Sequence, residues 1–168
     1  RALLQHRPAH LRGRHPWNYP YVWRHPLRRD TYLANYERLR SNPRLRRAVV
    51  FDDFGPDMGN WFRGIGWMLS PSTRETFHLA PVEGMVSGAV PVVWDREGAR
   101  DVFDDRWIVA DAQAAAQRIL DAADAEGDWA VLSDLARTEV GRYDERVVAD
   151  LWRDAVLPPR PPEAPAAL

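Results

Sequence analysis

The run Val90-Pro-Val-Val-Trp94 follows directly on Ser87-Gly88-Ala89, and that junction constrains the fold more than any other stretch. A short apolar run with no polar alternation reads as a strand buried on both faces. The residues before it, Leu79 to Ser87, read as a helix closed by Gly88, the residue type that most often follows a helix end. A helix delivered straight into a doubly buried strand belongs to a parallel sheet covered by helices.

The same alternation recurs along the chain. Ala48 to Phe51, Trp67 to Ser70 and Trp107 to Val109 read as further strands, with His10 to Arg12 as the weakest. Asp30 caps a helix carrying Tyr32, Leu33, Tyr36 and Leu39, which stops near Asn42-Pro43. Asp57 caps a short helix through Trp61 and Phe62, Asp111 caps Ala112 to Ala125, and Asp128 caps Trp129 to Val140. In the last helix, Asp144 to Val156, residues Val147, Val148, Leu151, Trp152 and Ala155 recur at spacings of three and four, which predicts one buried face. The fold class is therefore α/β, a Rossmann-like parallel sheet with helices on both faces. One domain over residues 1–157 precedes a Pro/Ala-rich tail, 158–168, expected to be disordered or extended.

In such sheets ligands sit outside the carboxyl ends of the strands, at the helix starts. The strand Trp67 to Ser70 feeds a loop, Pro71 to Phe77, and the helix near Leu79 begins in that crevice. Glu75 lies in the loop and Glu83 in the first turns of the helix. Helix-start amides and the helix dipole form an anion site, most often for phosphate. A carboxylate only accepts hydrogen bonds and can take two from a vicinal diol. Together these would suit a ligand with hydroxyls at both ends and phosphate between, which is the shape of a nucleotide sugar. Acids near a helix start also stabilise by ~0.3–1 kcal/mol with no ligand, so the spacing alone leaves that reading open.

Composition removes other chemistries. The chain has no cysteine, so disulfides, thiolate metal sites and cysteine nucleophiles are excluded. No apolar run approaches the ~18 residues of a membrane helix. The 23 basic residues are all Arg, read as base-composition bias in the source genome. They are unevenly spread: residues 1–47 carry 12 Arg against Asp30 and Glu37, and the rest carries 11 Arg against 22 acids. Such asymmetry marks either a nucleic-acid or membrane face, or a solvated Arg face meeting acids elsewhere in the fold. No nucleic-acid motif accompanies it, so no nucleic-acid partner is expected. The aromatic loop Arg14 to Pro26 could stack bases or simply pack along the crevice. Asp52-Asp53 and Asp104-Asp105 read as loop starts, and His6, His10, His15 and His25 lack ligand spacing, so no metal is expected. No nucleophile elbow is present. The start at Arg1 without a signal-peptide pattern is read as a piece of a longer protein.

The string Glu75-Thr-Phe77-His-Leu79-Ala-Pro-Val-Glu83-Gly-Met85-Val-Ser-Gly88-Ala-Val-Pro91-Val-Val93, followed by Gly98-Ala99 and Asp101, resembles the donor-binding segment of retaining glycosyltransferases of the GT-B fold, family 4, also called glycosyl transferases group 1. The resemblance covers the C-terminal, donor-binding half of that fold. It implies that Glu75 holds hydroxyls of the donor sugar, as the catalytic carboxylate. It implies that Glu83 binds the ribose diol and that the turn Phe77 to Leu79 brings backbone amides to sugar and diphosphate. Arg14, in the turn after the family's second strand, would contact phosphate.

Three positions depart from the family pattern. Thr76 and His78 stand where it has glycines, which there permit positive φ or close ligand approach. His tolerates left-handed backbone better than Thr. His78 would either donate to a phosphate or sugar hydroxyl, or be a packed loop histidine. Gly84 replaces the usual Ala and weakens the helix by ~1 kcal/mol. The acceptor-binding N-terminal half and the first strand of the donor half are absent, as is the Arg–Lys pair that follows that strand in the family. The resemblance therefore implies a partner, the missing N-terminal GT-B half, an unassigned acceptor, no cofactor, and a role in polysaccharide biosynthesis. The isolated chain is expected to bind donor weakly and not to turn over. The expected location is cytoplasmic, with room for a peripheral contact at the inner membrane face. A GT-B-like sugar-nucleotide epimerase or a non-catalytic nucleotide-sugar binding module is the alternative. In the family the last helix crosses back onto the N-terminal half, so Trp152 is expected to be partly uncovered here.

Overall fold

Two strands, Trp67–Ser70 (β3) and Val90–Trp94 (β4), fix the place of the site, and the remaining elements are arranged around them. A computed structural model describes residues 11–14, 24–52, 55–125 and 128–157, with 11–14 as backbone. In chain order the elements before β3 are β1 (Leu11–Arg14), α1 (Pro26–Ser41), α2 (Pro43–Ala48), β2 (Val49–Asp52) and α3 (Met58–Arg63). After β3 come α4 (Leu79–Val86), β4, α5 (Ala99–Val102), a 3-10 turn (Asp105–Trp107), β5 (Ile108–Val109), α6 (Ala112–Asp124), α7 (Asp128–Val140), a second 3-10 turn (Gly141–Tyr143) and α8 (Glu145–Val156).

The architecture is α/β, with a parallel three-stranded sheet β3-β4-β5 flanked by helices. Trp67 faces Val90 and Ser70 faces Val93, while Val93 and Trp94 face Ile108 and Val109. β4 is central and carries the burial the sequence demands: Val90, Pro91, Val92 and Val93 are all buried. On one side Val82 and Met85 of α4 and Ala136 and Val140 of α7 pack with Val90, Val93, Phe103 and Trp107. On the other, Ala115 and Ile119 of α6 pack with Val92 and Val109. Helices thus cover both faces, which is why β4 shows no polar alternation.

Two glycines shape the junction. Gly88 has φ +95°, a left-handed conformation that lets the chain turn from α4 into β4. Its carbonyl accepts from Ser133 Oγ of α7 at 2.7 Å, so the turn is bolted to the helix layer. Gly84 is buried where a Cβ would stand 3.2 Å from Met68 Cγ and 3.3 Å from its Cβ. The departure from Ala at this position gives α4 its close approach to β3, and the propensity cost is the other side of that packing.

Several boundaries differ from expectation. α1 starts at Pro26, not behind Asp30, because proline at the first helical position supplies a preset φ and no orphan N–H. Asp30 lies inside the helix and pairs with Arg29 Nε at 3.0 Å. Asn42 ends α1 but also starts α2, which the sequence reading lacks: its side chain accepts from the amides of Arg44 and Leu45. Asp57 precedes α3 without a side-chain cap, and α7 begins at Asp128 itself. Asp111 caps α6 as expected, accepting from the amides of Gln113 and Ala114; Asp144, read as the first residue of the last helix, is instead its cap and accepts from the Arg146 amide.

The described strands form two sheets, not one. β1 and β2 pair in parallel, Leu11 opposite Val49 through Arg14 opposite Asp52, and neither pairs with β3. The apolar face of α8 is not buried by this chain: the helix has no buried residue, and Trp152 is 67% exposed. The predicted buried face is therefore corrected, and the expected uncovering of Trp152 is observed. No described helix is long and apolar enough to cross a membrane. Residues 158–168 and the heart of the aromatic loop, 15–23, lie outside the described residues.

Candidate functional site

The loop 71–78 leaves the carboxyl end of β3 and re-enters as α4, and one hydrogen bond fastens its far end to its start. Ser70, buried at the end of β3, meets His78 Nδ1 with its hydroxyl at 3.0 Å. His78 is the N-cap of α4 at φ 64°, ψ 68°, left-handed, and no other non-glycine among the described residues has positive φ. That conformation costs roughly 1–2 kcal/mol for an L-residue. The bond to Ser70 offsets part of it, so histidine occupies the place a glycine would hold. Thr76 is exposed in a bend and has no positive φ, so its departure from glycine carries no such strain.

Glu75 is exposed on the same loop. Its Oε1 accepts from Ser72 Oγ at 2.9 Å and stands 3.6 Å from His78 Nε2. The carboxylate beside Nε2 favours the tautomer protonated there, which leaves Nδ1 to accept from Ser70. Phe77 lays its ring edge-on against Tyr143 at 4.8 Å, tying the loop to the turn before α8. Leu79, Glu83 and Val86 form the exposed stripe of α4. Glu83 thus stands one turn inside the helix start, free of the sheet, and its carboxylate has no bonding partner among the described residues. The amides of His78, Leu79 and Ala80 donate to no described group, Pro81 has none, and the first turn holds no acid.

Burial holds the His78 pKa below its ordinary value near 6.5; Glu75 pulls it back up, and the positive charge of Arg96 adds to the depression. The unfolded chain then binds the proton first as pH falls. His78 should contribute constant stability above about pH 6.5 and lose it progressively in more acid solution. A ring-proton NMR titration should place its midpoint below 6.5, and lower still in Glu75→Gln; a midpoint at or above 6.5 in the native chain contradicts this.

The sequence reading passes over Arg96. It follows β4, two residues beyond Trp94, and is 8% exposed despite its charge. Periodicity says nothing about a loop residue, so its burial is legible only in the fold. The available signal was its place at the carboxyl end of the central strand. Arg14 is the last residue of β1, inside a strand of the other sheet and not in a turn, and its side chain falls outside the description. Of the acidic pairs, Asp52 accepts from Trp61 Nε1 at 2.7 Å, Asp104 caps the first 3-10 turn, and Asp105 pairs with Arg100 Nε at 2.9 Å. All three are engaged in holding the fold.

A family model described as glycosyl transferases group 1 matches residues 24–125. That span runs from the start of α1 to the end of α6 and holds β2 to β5, the loop 71–78 and Arg96. No curated protein and no solved structure matches the chain. The matched span is more than half of the sequence, and the chain belongs to the glycosyl transferases group 1 family.

Proposed function

We propose that this chain is the donor-binding half of a retaining GT-B glycosyltransferase, which transfers a sugar from a nucleotide-sugar donor to an acceptor. Glycosyl transfer follows from family membership. The observation that carries the finer reading is the order of groups at the carboxyl end of β3: Glu75, then the unpaired amides of His78, Leu79 and Ala80, then Glu83 on the open stripe of α4. Amides at a helix start suit phosphate. The two carboxylates flank them in chain order, as the two hydroxyl-bearing ends of a nucleotide sugar require. In this reading Glu83 takes the ribose diol, Glu75 takes sugar hydroxyls, and Thr76, Phe77, His78 and Leu79 shape the turn between them.

The split sheet supports the same reading. The doubly wound order 3-2-1-4-5-6 places its first strand between the second and the fourth. If β1 to β5 are strands two to six, the strand that would join the two sheets is the first, which is not among the described strands. The exposure of Leu69 on β3, a strand that would border it, fits an open margin there. The chain alone is proposed to bind donor weakly and not to turn it over, since the acceptor side of a GT-B site is supplied by the other half of that fold.

Ligand-observed NMR on this chain tests the proposal at the millimolar range expected of a half site. One nucleoside diphosphate among UDP, GDP and ADP should bind at least about tenfold more tightly than its nucleoside, a preference worth roughly 1.4 kcal/mol from phosphate contacts. Equal binding of every nucleoside diphosphate and its parent nucleoside would remove the donor reading.

A further inference from the structure

The loop that carries Glu75 has no backbone fastening. Among the described residues no backbone–backbone hydrogen bond involves residues 71–78. Three side-chain contacts hold the loop instead: Ser72 Oγ on Glu75 Oε1, Phe77 edge-on against Tyr143, and Ser70 Oγ against His78 Nδ1 at 3.0 Å. The first joins two residues of the loop to each other, and the second is made by an exposed ring at the surface. Only the third ties the last residue of the loop to the buried end of β3. It also holds a strained backbone in place, since His78 stands at φ 64°.

That bond depends on a proton. The neutral ring accepts from the Ser70 hydroxyl at Nδ1 and turns Nε2–H toward Glu75 Oε1, 3.6 Å away. A second proton occupies Nδ1. The Ser70 hydroxyl must then turn round and accept, and its own hydrogen is left with no other described partner. Ser70 is 2% exposed, so the stranded donor is a buried one, a cost that falls on the charged ring alone. The charged ring meanwhile gains on its other side, where the Glu75 carboxylate becomes an ion-pair partner. Two charged groups bear on the ring, Glu75 from its own loop and Arg96 from the turn after β4; α4 and the end of β3 add none. Protonation therefore turns the preference of His78 from the end of the strand to the acid of the loop.

We propose that Ser70 and His78 form a proton-sensitive latch on loop 71–78, closed while the imidazole is neutral and released when the ring is charged, which makes His78 the positioning residue for Glu75. Closed, the latch pins the end of the loop to β3 and leaves the exposed Glu75 carboxylate open to a ligand. Released, the ring pairs with Glu75 and takes that carboxylate out of use, and the left-handed backbone at His78 is free to relax. The latch stands without the nucleotide-sugar reading; that the carboxylate it presents meets a sugar rests on that reading.

Solution NMR of the whole chain tests the latch from about pH 8 to about pH 5, a range that spans the ordinary histidine titration. The amide heteronuclear NOEs of Thr73 to Thr76, which report fast backbone motion, should be high at neutral pH and fall with the same midpoint as the His78 ring protons, while the amides of β4 stay rigid. His78→Asn should keep the loop ordered throughout, because Asn tolerates left-handed backbone, places an amide oxygen where Nδ1 stands and does not titrate in this range. Ser70→Ala should loosen the loop at every pH and raise the ring midpoint toward about 6.5, since the hydroxyl that charging strands is gone. Loop order that is unchanged across the His78 titration overturns the latch, and so does a Ser70→Ala chain whose ring midpoint stays at the native value. Loss of order in β4 at the same pH also overturns it, because acid would then be unfolding the domain. Affinities of UDP-, GDP- and ADP-glucose against UDP, GDP and ADP, at both ends of the range, read the consequence for Glu75: any advantage of the sugar-bearing ligand should fall in acid. If the loop loosens as expected and that advantage does not fall, the latch is upheld and Glu75 is overturned as the group that holds the sugar.

Discussion

Trp107→Ala should lower the unfolding free energy by about 3–5 kcal/mol, the cost of emptying a large aromatic position in a close-packed core. Trp107 is 1% exposed and ends the 3-10 turn that feeds β5. It packs with Val90, Val93 and Phe103 on one side of the sheet. Its indole N–H also donates to Glu139 Oε2 of α7 at 2.6 Å, and the other oxygen of Glu139 accepts from the Asp104 amide at 2.9 Å. The alanine variant therefore removes packing and one donor from a mostly buried carboxylate at once. Against a typical total of about 5–15 kcal/mol, that is enough to leave the domain marginal. Trp107→Phe keeps much of the ring and deletes the N–H, so it should cost less, with the shortfall reporting packing alone. Urea unfolding followed by circular dichroism measures both. A loss under about 1 kcal/mol for Trp107→Ala would mean that the α7-to-sheet seam is not the centre of the core.

What could be read in advance divides by the range of the interactions involved. β3 and β4 were legible to the residue because each is a short apolar run bounded by glycine and loop residues. The family pattern asks for glycine at both Thr76 and His78, and only the fold shows that His78 alone takes the left-handed backbone. α2 was missed although Asn42-Pro43 carried the signal, a capping side chain followed by proline at the first helical position. There the cue for a stop hid the cue for a restart. The early start of α1 at Pro26 was lost for the same reason. Strand pairing is long-range, so nothing local announced two sheets, or that Arg14 would end a strand of the second one. The stripe on α8 was visible, but periodicity states which side chains share a face and not what covers them. Arg96 is the clearest limit: its burial comes from the tertiary fold around it.

On the proposed donor reading, and in a protein that joins this chain to an acceptor half, substitutions at the two acids should separate nucleotide binding from turnover. Glu83 stands on the exposed stripe of α4, one turn inside the helix start and without a described partner, so its carboxylate is available to a diol beside the proposed phosphate position. Glu83→Gln keeps the shape and removes the charge, which weakens such contacts by roughly 1.5–3 kcal/mol, or about tenfold and more. The loss should fall equally on free nucleoside diphosphate and on intact donor, because both carry the ribose. Glu75 lies before the site, on the loop held by Ser72 and beside His78. Glu75→Gln should leave nucleoside diphosphate affinity nearly unchanged and reduce turnover, since an acid that orients the reacting sugar acts on a part of the donor the diphosphate lacks. The His78 titration midpoint separates that effect from collapse of the loop: a modest downward shift means the loop stands and only the charge is gone. Calorimetry with both ligands on both variants, paired with initial rates, reads the difference. If Glu75→Gln and Glu83→Gln weaken nucleoside diphosphate to the same extent, the two acids do not divide the donor between them, and Glu75 acts on the nucleotide end as well.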